Sequence, residues 1–241
     1  MTVIAPPLRP VQAAAWHALF DLHDRLPTGW ALVGGQMVQS LCWERGALPN
    51  RPTHDADTAL DVRARPRMLL EFTTALRELG FVADGESFEG HQHRWVRGGA
   101  QIDVLIPRFL GERAAGRRGA TGGTTIAAPG AQGALWRAVP VEFVVNGRTG
   151  IVPRPTLQGA LLSKAAAVEI VGADPDRHLS DIATLAALVT RRDAVGADLT
   201  KTERRRVLSA VARIRRDPSV LRAAGVDEVT LERLQLAIRA S

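Results

Sequence analysis

The chain has 241 residues, enough for one large domain or two small ones around a real hydrophobic core. Its composition is that of a soluble globular protein, 46% hydrophobic and 23% charged, and a single cysteine, Cys42, excludes an internal disulfide and a cysteine-based zinc site. Formal net charge is +6 and unevenly placed: residues 201–216 hold seven basic residues against one acid, Glu203, an excess equal to that of the whole chain. No apolar run reaches the roughly 18–20 residues of a membrane span. The N-terminus lacks the basic region and apolar run of a signal peptide. A cytoplasmic protein without a membrane partner is the expectation.

Apolar residues at helical spacing predict a helix over Val11–Leu26, stopped by Pro27 and Gly29. Trp30–Val33 reads as a short strand, followed at once by Gly34-Gly35 and a helix over Gln36–Glu44. After a loop at Ala47–Pro52, Thr53–Val62 alternates like a strand. Arg67–Leu79 is a helix closed by Gly80, and Phe81–Ala83 a strand. His93–Val96 and Gln101–Ile106 form a hairpin around Gly98-Gly99. Residues 111–135 are rich in Gly, Ala and Thr, with Arg113, Arg117 and Arg118 interspersed, and read as a long loop. Val139–Val145 and Thr149–Val152 make a second hairpin around Asn146-Gly147. Helices follow over Thr156–Val171 and Asp176–Val189, separated by a break at Gly172–Pro175. The remainder is helical, with breaks near Gly196, Asp217-Pro218 and Gly225. The order predicts an α+β fold: a mixed β-sheet core flanked by helices over residues 1–152, and a C-terminal helical bundle over 153–241.

Asp55 and Asp57 are two apart on a strand, so their carboxylates share a face. Such a pair also occurs as solvated strand-end acids. Asp103 lies inside the apolar run Ile102–Ile106, where an acid is costly unless paired or metal-bound. Three carboxylates converging from neighbouring strands make an oxygen-rich site suited to Mg²⁺ or Mn²⁺. Transfer of a nucleoside monophosphate from a nucleoside triphosphate (NTP) needs such a site. It is an in-line displacement, and two divalent ions about 4 Å apart can hold the attacking and leaving oxygens. Gly34-Gly35, between strand and helix, would open backbone N–H groups to a phosphate.

Leu32-Val33-Gly34-Gly35 followed by Arg51-Pro52-Thr53-His54-Asp55-Ala56-Asp57 resembles the signature of the AbiEii/AbiGii-type (MenT-like) nucleotidyltransferase toxins, within the DNA polymerase β-like nucleotidyltransferase superfamily. A second block also resembles that family. Val152-Pro153-Arg154-Pro155 leads to Lys164-Ala165-Ala166-Ala167 and on to Arg177-His178-Leu179-Ser180-Asp181-Ile182. The resemblance implies that Asp55, Asp57 and Asp103 bind metal and that Gly34 and Gly35 bind triphosphate. It puts Thr53 beside the metal site. It implies that Lys164, one of only two lysines, neutralises triphosphate charge, and that Asp181 fixes Lys164 or the base and sugar end of the pocket. Ala56 and Thr58, where the family has bulky apolar residues, and His54 depart from the pattern and put the packing of the strand in question.

His91 and His93 alternate on a strand but lack a third zinc ligand. Glu142, in an apolar strand, is a weaker candidate for the pocket than for a structural role. Asp61 reads as a strand-end acid, and the five tryptophans as packing residues. Arg204, Arg205, Arg206, Arg213, Arg215 and Arg216 are either a solvated helix face or contacts to an RNA backbone. The resemblance implies the 3′ end of tRNA as acceptor and a cognate antitoxin protein as partner. Alternatives are transfer to a small molecule such as an antibiotic, transfer to a protein hydroxyl, or a degenerate nucleotide-binding module.

Overall fold

The computed structural model describes residues 1–87, 90–108, 110–169 and 175–239, with Arg113 described in its backbone only. The chain begins with strand β1 (Thr2–Ile4), absent from the sequence expectation, and helix α1 (Pro10–Arg25). Proline at the first turn of α1 is well placed, since that N–H would have no helical partner. Strand β2 (Trp30–Val33) runs directly into α2 (Gly34–Glu44), and β3 (Asp55–Leu60) follows. Then come α3 (Met68–Glu78), β4 (Val82–Ala83), β5 (Arg94–Arg97) and β6 (Ala100–Pro107).

The segment expected as one long loop contains α4 (Glu112–Ala115), β7 (Ile126–Ala128) and α5 (Ala131–Trp136). The small side chains explain both the expectation and its failure. The glycines break any helical run and the alanines show no apolar stripe, but small side chains fit tightly. Ala131 and Ala134 are buried against Val33 of β2 and Ala59 of β3, and β7 pairs in parallel with the end of β6. The hairpin β8 (Ala138–Val145) and β9 (Arg148–Pro155) turns at Asn146-Gly147 as predicted and extends further into Pro155. Helices α6 (Leu157–Ala167), α7 (Pro175–Ala187), α8 (Lys201–Arg216), α9 (Pro218–Ala224) and α10 (Glu228–Arg239) complete the chain. The predicted end of the first of these at Val171, and the break at Gly172–Pro175 up to residue 174, lie outside the described residues.

Six strands form the main sheet, in the order β2-β3-β6-β5-β4 with β7 alongside β6. The β3 and β6 strands are parallel, and the other pairs on the main path are antiparallel. Parallel neighbours need a crossover, and the segment from α3 to β5 supplies it. A second sheet, β1-β8-β9, pairs β1 in parallel with β8. The core is continuous through both sheets and the helices, with Trp16, Trp30, Trp95, Phe20, Phe72 and Phe143 fully buried. Trp136 is 71% exposed, so it is not the packing residue expected. Cys42 is fully buried in α2. Ala56 and Thr58 are fully buried too, and the Thr58 hydroxyl donates to the Asp103 carbonyl at 3.0 Å. The small side chains of β3 are therefore packed rather than loose. No helix among the described residues is long and apolar enough to cross a membrane.

Candidate active site

The register of the sheet places Asp57 of β3 opposite Asp103 of β6, and Asp55 lies two residues along on the same face. Carboxylate oxygens of Asp55, Asp57 and Asp103 all lie within 4.8 Å of one another, the only such metal-competent group among the described residues. They line a cleft of about 330 Å³ together with Gly34, Arg94, Ser163, Lys164, Arg177 and His178.

Gly34 shows why the glycine turn and the aspartates belong together. Its φ is +68°, a left-handed conformation that side chains disfavour, and a Cβ there would lie 1.7 Å from the Asp57 carboxylate. The first turn of α2 thus comes directly against the acid. A Cβ on Gly35 would meet the Thr53 hydroxyl at 2.9 Å. Gly35 and Thr53 do not line the cleft. Thr53 sits behind Asp55 and donates its hydroxyl to that carboxylate at 2.7 Å. Both stand behind the residues that line the cleft.

The acids differ electrostatically. Burial pushes the Asp57 carboxyl up to about 6, reinforced by repulsion from Asp55 and Asp103 and opposed by Lys164 and Arg177. Burial also raises Asp103, against the attraction of Arg94. For Asp55 burial acts upward too, but the Thr53 hydroxyl, a backbone N–H, Arg177 and Arg51 together hold it below the usual carboxylate range. Asp57 and Asp103, crowded carboxylates that resist ionisation, are what a site completed by cations should contain. The oxygen donors and the close approach allowed at Gly34 fit divalent metal.

On the far wall, Lys164 of α6 is 4% exposed and its ammonium lies 2.7 Å from Asp181 of α7. Arg51 grips the same carboxylate with two donors, at 3.0 and 3.1 Å. Burial opposes the charge on Asp181, but Lys164 and Arg51 hold its carboxyl below the ordinary range. Asp181 does not line the cleft; of the two roles left open for it, the structure places it behind Lys164. His178 lines the cleft, and burial pushes its imidazole down to about 4, helped by Lys164.

Several site residues had no role in the sequence reading. Arg94 and Gln101 both donate to Oδ1 of Asp103, at 3.4 and 3.0 Å. Arg177 faces the acids from α7. Three buried glutamines hold the segment leading into β3 by its carbonyls. Gln39 donates to Arg51 and accepts from Gln12, Gln12 donates to Thr53, and Gln36 donates to His54. Glutamines at helical spacing in α2 carry no signal by themselves; their burial reveals the role.

Other candidates lie elsewhere. The His91 ring bonds Thr124 at 2.9 Å, and neither His91 nor His93 joins the aspartate group. Glu142 is exposed on the second sheet, where it accepts from Thr2, and does not line the cleft. Asp61 caps the turn at Ala64. The basic run on α8 is divided, and none of it lines the cleft. Arg204 donates to the Ile238 carbonyl, Arg206 pairs Glu169 and Arg215 pairs Glu228. Arg205, Arg213 and Arg216 are exposed.

The whole-chain fold is similar to that of an antigenic nucleotidyltransferase-like protein from Paracoccidioides brasiliensis, with TM-score 0.51 and 18% identity over 92% of this chain and 96% of that one. It is also similar to the antibiotic-resistance factor ANT(2″)-Ia. The solution structure gives TM-score 0.45 and 16% identity over 89% and 97% of the two chains. The complex with adenylyl-2″-tobramycin gives 0.45 and 17% over 84% and 98%. No family model matches the sequence, and no curated protein does. The fold is nucleotidyltransferase-like: an α+β arrangement of mixed sheets flanked by helices.

Proposed function

We propose that the chain is a metal-dependent nucleotidyltransferase of the AbiEii/AbiGii type. It transfers a nucleoside monophosphate from an NTP to a hydroxyl, and the acceptor that the resemblance implies is the 3′ end of tRNA, within a toxin–antitoxin pair. One observation carries the transfer: three carboxylate oxygens within 4.8 Å face a side-chain-free helix start, with a buried lysine on the opposite wall.

Asp55, Asp57 and Asp103 would hold Mg²⁺ or Mn²⁺. Bound divalent cations supply charge neutralisation for the triphosphate and acidify the attacking hydroxyl. The protein's own groups do the rest. The N–H groups at the start of α2 receive phosphate oxygens beside Gly34. Lys164, held by Asp181, adds a fixed positive charge that counters the pyrophosphate as it leaves. Arg94 and Gln101 occupy one oxygen of Asp103. The other takes the proton of the attacking hydroxyl as its oxygen bonds to the α-phosphorus.

Incubation with Mg²⁺, each labelled NTP in turn and total tRNA tests this reading. Label should appear on tRNA and vanish in Asp57→Ala. Label on the protein, on an aminoglycoside supplied instead, or nowhere counts against it.

A further inference from the structure

The sheet carries a row of side chains that links the phosphate turn to a half-exposed cation. Val33 lies opposite Asp57, Asp57 opposite Asp103, and Asp103 opposite Arg94, across β2, β3, β6 and β5. Residues directly opposite one another project on one face, and all four line the cleft. Gly34 follows Val33 at one end of the row. At the other end, the Arg94 side chain is 42% exposed and gives only its Nε to Asp103. Its two terminal amino groups have no partner among the described residues.

This order separates the reaction's two substrates. If the triphosphate lies at the Gly34 end, the attacking group approaches from the β5 end, past Arg94. The cleft lining as a whole holds no acid beyond the three aspartates, whereas Arg94, Lys164 and Arg177 are cationic. Once those aspartates hold metal, a polycationic acceptor meets like charge and finds no carboxylate to pair with. An acceptor with a phosphate a few bonds from its hydroxyl finds two guanidinium donors in the fork geometry that suits phosphate.

We propose that Arg94 is the specificity-determining residue of the acceptor side, selecting a phosphodiester-bearing hydroxyl, as at the 3′ end of a single-stranded polynucleotide. This rests on reading the cleft as a nucleotidyltransferase site and adds the residue that chooses the acceptor.

The test uses the full chain and two titrations. In the first, a short single-stranded RNA labelled at its 5′ end is titrated into wild type, Arg94→Gln and Arg94→Lys at several salt concentrations. In the second, Mn²⁺ with ATP or GTP is titrated into the same proteins. Arg94→Gln should weaken RNA binding about tenfold and lower the salt slope by nearly one. Arg94→Lys should keep the slope, because the charge remains, with weaker binding because the fork is lost. Nucleotide binding should weaken less than RNA binding in both variants, because Gln101 still donates to Asp103. Unchanged RNA affinity in Arg94→Gln overturns the proposal, as does an equal loss of nucleotide binding, which would confine Arg94 to holding Asp103. Tighter binding of tobramycin than of RNA by wild type also overturns it. Failure of wild type to bind nucleotide would instead remove the transferase reading, while the RNA titration would still decide what Arg94 does.

Discussion

Single residues set the terms of this site. Asp57 is the acid most penalised by its surroundings, with its carboxyl pushed up to about 6 by burial and by Asp55 and Asp103. Removing that charge should stabilise the metal-free protein even as it disables the site. In chelator at neutral pH, Asp57→Asn should melt higher than wild type, by roughly 1–2 kcal/mol. Addition of Mn²⁺ should then raise the melting temperature of wild type and not of the variant. Gly34→Ala tests the glycine turn. With φ at +68° and a Cβ 1.7 Å from the Asp57 carboxylate, the methyl group must displace the acid or the start of α2. Calorimetric titration should show Mn²⁺ affinity falling at least tenfold. Asp55, Asp57 and Gly34 were legible in the sequence because the glycine turn, the helix and the paired acids follow in an order that resembles a known signature, which neither the turn nor the pair carries alone. Arg94 was not, because its importance comes from strand register, and nothing in a linear reading pairs it with Asp103.

Elements were legible where local chemistry decides them. Gly98-Gly99 and Asn146-Gly147 announce their hairpins, and Thr156 caps α6 by accepting from the Gly159 N–H. They were illegible where packing decides. The short β1 exists because β8 offers it an edge, and α5 because two alanines fit against β2 and β3. The segment before β3 is of the same kind: prolines and polar residues read as a loop, yet Gln12, Gln36 and Gln39 hold it by its carbonyls. Gln39→Ala should therefore cost about 1–3 kcal/mol, since it leaves the Arg51 carbonyl without its donor and the Gln12 amide with Thr53 alone. Urea unfolding measures that cost. Mn²⁺ affinity should fall as well, because Thr53 and Asp55 lie on the segment that Gln39 steadies.

At the scale of the molecule, the fold class followed from element order: alternating strands and helices, then helices alone. Parallel pairing of β3 with β6 did not, and it is the pairing that joins the acids. A pH effect also belongs to this scale, because it reports the whole folding equilibrium. The His178 imidazole titrates near 4 in the folded protein and near 6.5 when unfolded. Between those values the unfolded chain holds the extra proton, so stability should fall as pH drops from about 6.5 to about 4 and gain nothing above that window. His178→Gln should flatten this part of the stability profile in thermal melts.

The carboxylate of Asp181 has a consequence for how the protein is assembled. It receives Arg51 from the sheet-bearing half of the chain and Lys164 from the helical half. Cut between β9 and α6, neither fragment would own a complete wall of the cleft, and each would be left with charge that its fold meant to share. Fragments 1–155 and 156–241, produced apart, should bind no nucleotide, and mixing them should restore binding. Fluorescence polarisation with a labelled nucleotide would show it. The chemistry then behaves as a property of the joint, and a single acid on α7, one side chain back from anything a substrate touches, keeps the joint closed.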